Sequence, residues 1–73
     1  MTKEEKYLLK LGQKIAELRK AKGFTQEEFA KLTKMNRASL ARLEKEPINL
    51  TVKTLLQISK VLELEIYELI KIK

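Results

Sequence analysis

Apolar residues recur along this chain at spacings of three and four, broken by short polar interruptions, and that rhythm predicts a series of helices. Leu8, Leu11, Ile15 and Leu18 mark the first, opened by Thr2 as an N-cap and running to about Lys22. Glu17 and the cluster Arg19, Lys20 and Lys22 are placed on its water-facing side, the three cations serving either as partners of the helix C-terminal dipole or as phosphate contacts. Thr25-Gln26-Glu27-Glu28 opens a second helix, about 25 to 33. The Thr25 hydroxyl can accept from the N–H three residues on while the Glu28 carboxylate reaches back, which is a capping box. Gly23 can take the left-handed conformation that closes the helix before it, and Phe24 is placed as a hydrophobic staple. Asn36 caps a third helix, about 36 to 45, with Leu40 and Leu43 facing inward.

Beyond it the pattern stops. Pro47 disfavours a helical Glu46 and Asn49 suits a turn, so Lys45 to Leu50 is a loop. Thr51 then caps a fourth helix whose Val52, Leu55, Ile58 and Leu62, joined by Leu56 and Val61, form a wide apolar stripe. The tail reads two ways. Strict alternation in Glu63 to Ile66 and in Ile70 to Lys73 fits a short strand, whereas Leu62, Ile66, Leu69 and Ile70 fit a helix over 65 to 71. Its apolar surplus makes Ile66, Tyr67, Leu69 and Ile70 candidates for a dimer seam, with a core lid as the alternative.

Two short helices joined by a tight turn, the second carrying Arg37 and Arg42, outline a DNA-reading element, and the charge distribution agrees. The net charge is +6, and from Phe29 to Leu43 the chain carries Lys31, Lys34, Arg37 and Arg42 with no acidic residue. Ala38 and Ala41 between the cations let the helix backbone lie close to another surface, such as a major groove. With 73 residues the chain makes one domain, residues 1–73, close to the size at which a single core needs help, and dimerisation would supply it. Cys, His and Asp are all absent, which removes disulfides and the usual zinc and acid–base residues and argues against an enzyme, a metal site and a cofactor. The apolar runs are too short for a membrane span and the start is not a signal peptide, so the expected location is the cytoplasm. Tyr7, Phe24, Phe29 and Tyr67 do not cluster with the basic residues, so packing is expected of them rather than base stacking.

At these residues the chain resembles the helix-turn-helix regulators typified by the lambda phage repressor and Cro, the xenobiotic-response-element or Cro/C1 type. The likeness runs from Leu11 to about Ile70 through Leu11-Gly12-Gln13-Lys14-Ile15, Leu18 to Gly23, Thr25 to Ala30, Asn36 to Glu44 and Thr54 to Ile58. It implies an all-α, lambda repressor-like bundle of about five helices, with helix 2 across the DNA backbone and helix 3 in the major groove. Carried over by position, it implies that Asn36, Arg37, Ala38 and Arg42 face the bases and that Gln26 touches a phosphate and braces the reading helix. Ser39, Lys45 and Lys34 are phosphate candidates. The implied partner is a double-stranded, palindromic operator bound by a homodimer that represses by occupancy.

Three positions depart from the family pattern. Lys34 stands where a Gly is usual, so either it takes a left-handed conformation at a cost of roughly 1 kcal/mol or the turn is remodelled. Thr33 replaces a Leu, weakening a core contact, and Glu46 replaces a Gly after the reading helix. The stretch Glu44 to Val52 and the alternating Leu62-Glu63-Leu64 are also similar to HipB-like antitoxins. That subgroup implies a second function, in which a dimeric repressor also holds a toxin protein and the tail pairs as strands across the dimer.

Overall fold

A computed structural model describes residues 1–72. Five helices follow one another: α1 (Lys3–Ala21), α2 (Gln26–Thr33), α3 (Arg37–Leu43), α4 (Val52–Val61) and α5 (Ile66–Ile70). Among the described residues there is no strand, and none of the helices is long and apolar enough to cross a membrane. Lys73, the last residue of the alternating end, lies outside the described residues.

Local chemistry accounts for the boundaries. Thr2 and Glu5 form one capping box and Thr25 and Glu28 another, each with a hydroxyl accepting at 3.1 Å and a carboxylate accepting at 2.9 Å. Hydrogen bonds from the backbone and then the side chain of Thr2 and Thr25 hold the Glu5 and Glu28 carboxyls below their ordinary range. That support is therefore present above the ordinary carboxylate range and is lost as pH falls through the lowered pKa. Thr51 caps α4 by accepting from the Thr54 N–H at 3.1 Å.

Three helices end the same way. Past α1, α2 and α4 a residue takes positive φ, Gly23 at 82°, Lys34 at 60° and Glu63 at 59°. The next residue, Phe24, Met35 or Leu64, donates its N–H back to the carbonyl of Arg19, Ala30 or Ser59 at 3.1, 2.8 and 2.8 Å. This is the six-to-one bond of a Schellman motif. The alternation around Glu63 to Ile66 is thus a helix stop and restart, which is why it looks like strand without being one. Lys34 is left-handed, so the turn is not remodelled. Lys34→Gly is accordingly expected to raise the stability by up to about 1 kcal/mol in urea denaturation; an unchanged or lower midpoint would show that no strain resides there.

The core is one cluster of Leu11, Ile15, Phe29, Ala30, Leu40, Leu43, Ile58, Leu62 and Leu69. The packing runs from α2 onto α3 and α4, from α4 onto α5 and from α5 back onto α1. Phe24 and Phe29 meet with ring centroids 5.9 Å apart. Four expectations need correction. Leu69 belongs to this core with 0% exposure and is not available to a partner. The wide stripe of α4 divides: Ile58 and Leu62 are buried while Val52 and Leu56 are 65% and 51% exposed. Thr33 does not weaken the core, because it is fully buried and its hydroxyl donates to the Phe29 carbonyl at 2.7 Å. Arg19, placed with the water-facing cations, is buried.

Gly12 fixes where α1 meets α3. It is buried, and a Cβ built on it would lie 3.0 Å from the carbonyl carbon of Leu43 and closer still to its oxygen, so the two backbones touch. Only a residue without a side chain permits this approach.

Candidate nucleic-acid interface

α3 is seven residues long, shorter than expected at both ends: Asn36 is its N-cap, Glu44 its C-cap, and Lys45 lies in the turn beyond. Leu40 and Leu43 face the core, so the opposite side is left to solvent. Asn36, Arg37, Ala38, Ser39, Arg42 and Lys45 are all exposed there, together with Lys31 and Lys34 on the approach from α2. The structure therefore leaves every predicted base-facing side chain accessible.

Their commitments differ. Arg37 is exposed at the first position of the helix. Asn36 spends its Oδ1 on the cap, accepting from the Ala38 N–H at 2.8 Å, which leaves its Nδ2 for outward use. Arg42 pairs with Glu46 one turn later at 3.5 Å, with side chains 64% and 53% exposed. An exposed pair of this kind contributes at most about 1 kcal/mol, so a stronger partner can take the guanidinium from it. Glu46, where a Gly was expected, is thus an acid set beside a predicted base-facing residue.

Behind this face lies a polar knot that the sequence reading missed. Arg19 Nε donates to Glu44 Oε2 at 2.7 Å, its second nitrogen donates to Oε1 at 3.2 Å, and its third reaches the Phe24 carbonyl at 2.7 Å. The two side chains are 8% and 6% exposed. Gln26 Nε2 donates to the same Glu44 at 2.9 Å. One carboxylate therefore joins the end of α1, the start of α2 and the end of α3. The knot ties the two helices of the turn to α1, and it pairs the acid at the end of α3 with a cation. Gln26 thus links the start of α2 to the end of α3. The signal was present in the sequence, since Arg19 stands four residues after Ile15 and so shares the inward face of α1.

On α5 the other candidates separate. Tyr67 is 67% exposed, Ile66 and Ile70 are half-buried and Leu69 is in the core. Because 66–70 is helical, the alternation of Glu63 to Ile66 does not supply the strand expected from the HipB-like resemblance.

Comparison with known proteins follows the same outline. The helix-turn-helix family model matches residues 15–69. The restriction-modification controller protein C.AhdI from Aeromonas hydrophila is similar with a TM-score of 0.80 at 35% identity, over 85% of this chain and 94% of its own. C.Esp1396I bound to a 25 base pair operator site gives a TM-score of 0.77 at 33% identity, over 88% of each chain. SinR, a master regulator for biofilm formation solved in complex with DNA, gives 0.79 at 27% identity, over 84% of this chain and 98% of its own. No curated protein sequence matches the chain.

Proposed function

The chain belongs to the helix-turn-helix family, among DNA-binding transcription regulators of the Cro/C1 type, and from that premise we propose a sequence-specific regulator that binds a palindromic operator as a homodimer. The observation that carries this reading is the set of exposed cations Lys31, Lys34, Arg37 and Arg42, free of intervening acids, on an internally braced turn. α3 enters the major groove with Arg37 and Arg42 as the base-reading cations, each able to place two N–H donors on a guanine. Ala38 contributes closeness rather than a hydrogen bond, and Asn36 an amide donor. Ser39, Lys45, Lys34 and Gln26 lie toward the phosphates, Gln26 while still holding Glu44. The protein performs no chemistry and works in the cytoplasm as one domain, residues 1–73, repressing by covering promoter DNA.

Dimerisation follows from exposed apolar surface on the last two helices. Val52 and Leu56 on α4 and Tyr67 on α5 are all more than half exposed, with Ile66 and Ile70 half-buried beside Tyr67 in sequence. A dimer that reads a palindrome needs its two reading helices about one DNA turn, roughly 34 Å, apart.

The test is selection of bound sites from a random duplex library at near-physiological salt. A short palindrome is expected, and recovery of no enriched sequence would overturn the reading. On the selected site, Arg37→Ala should cost about 1 to 3 kcal/mol of discrimination at one position per half-site. Lys45→Ala should weaken all sequences alike and reduce the salt slope by about 1 for each lost phosphate contact. Equal losses for both variants on every sequence would refute this division of roles.

A further inference from the structure

α5 is five residues long, too short to be stable by itself, and its end is built unlike those of α1, α2 and α4. Its C-cap, Lys71, is extended with φ −75° and ψ 107°, and among the described residues no left-handed residue follows to bring a backbone N–H round onto the last carbonyls. Among the described residues, partners for those carbonyls come from α1. Lys14 Nζ donates to the carbonyls of Glu68 and Lys71, the second at 3.0 Å, and the Tyr7 hydroxyl donates to the carbonyl of Ile70. A cation at this point also meets the negative end of the helix dipole. The carbonyls of Glu68, Ile70 and Lys71 are thus held from a helix more than fifty residues away in sequence, with separations of 54, 63 and 57.

We propose that Tyr7 and Lys14 are positioning residues for assembly: they grip α5 by its C-terminal carbonyls and so set the pose in which Ile66 and Tyr67 meet a second copy of this chain. The inference rests on the dimer reading above. Lys14 and Tyr7 reach main-chain oxygen of α5, so the exposed Tyr67 side chain and the exposed part of Ile66 remain available to the partner. Removing the grip leaves the core residue Leu69 in place but lets the end of α5 fray, and the dimer face loses its preorganisation.

The experiment uses the full chain with Tyr7→Phe and Lys14→Met combined, which keep the ring and most of the aliphatic stem. Each lost hydrogen bond is worth a factor of several, so the dimer dissociation constant by sedimentation equilibrium is expected to rise about tenfold or more. Amide exchange in α5 should accelerate, while exchange in α2 and α3 stays at wild-type rates. Lys14→Arg, tested on the Tyr7→Phe background, should recover most of the dimer affinity because it restores a cationic donor. Unchanged α5 exchange, or faster exchange with an unchanged dissociation constant, overturns the proposal. If the wild-type chain is monomeric at every concentration the dimer reading fails, and α5 exchange then decides the grip alone: acceleration upholds it and wild-type rates overturn it.

Discussion

Gly12→Ala should destabilise the protein and misplace its reading helix, although alanine is the better helix former. In an exposed helix the change would be favourable by about 1 kcal/mol. Here the added methyl meets the backbone carbonyl of Leu43, with its carbon at 3.0 Å and no flexible side chain in between to yield. Relief requires α1 and α3 to separate, and separation opens gaps among Leu11, Ile15, Leu40 and Leu43, all at most 2% exposed. Overpacking of this kind costs typically about 1 to 3 kcal/mol and occasionally more, so the clash exceeds the propensity gain. We expect urea denaturation to show a net loss of about 1 to 3 kcal/mol. Operator affinity, measured where the variant is still fully folded, should fall as well, because α3 is the element displaced. A variant as stable as wild type with full affinity would mean that the helices do not touch at this point.

Glu44→Ala should be the most damaging single change outside the apolar core. The substitution removes the acceptor for two guanidinium nitrogens of Arg19 and for the Gln26 amide, leaving a buried cation held only by the Phe24 carbonyl. Breaking a buried ion pair from one side costs about 3 to 5 kcal/mol. A domain of this size has a total stability of only about 4 to 11 kcal/mol, so a large part of the population would unfold at moderate temperature. The paired replacement Arg19→Met with Glu44→Leu should recover much of the loss, because apolar residues of similar volume need no charge compensation. Operator binding should not recover in step, since Gln26 remains without its tie to the end of α3. Thermal melts of the two singles and the double, read as a cycle, check the first claim; a Glu44→Ala melting curve overlying wild type would end it.

Much of this architecture was legible because it is written in short-range chemistry. The N-cap at Thr2, the capping box at Thr25, the cap at Asn36 and the turn at Gly23 are decided by residues three or fewer apart, and each lies where the sequence placed it. The exposed cations of α3 were legible for the same reason, since Leu40 and Leu43 fix which side faces the core. What resisted reading depends on partners distant in sequence. Arg19 looks like a solvated cation until Glu44 is brought to it across 25 residues, and Gly12 looks like a weak spot in a helix until Leu43 arrives. The exposure of Val52 and Leu56 was likewise concealed, because a five-residue α5 covers only part of a stripe that periodicity alone would bury whole. The tail misled for a different reason, in that a left-handed Glu63 between Leu62 and Leu64 mimics the period of a strand.

The two long-range ties also bear on the order in which the molecule assembles. All the connections but the one from α3 to α4 are four residues or shorter, so many neighbours are local in sequence, which favours rapid folding. The Arg19–Glu44 knot closes a loop of 25 residues and the Tyr7–Ile70 bond one of 63, and the larger loop costs roughly 0.8 kcal/mol more in chain entropy. The tie between α1, α2 and α3 is therefore expected to close ahead of the contact between α5 and α1. On the proposed dimer reading, the surface that pairs would then be completed later than the surface that meets DNA.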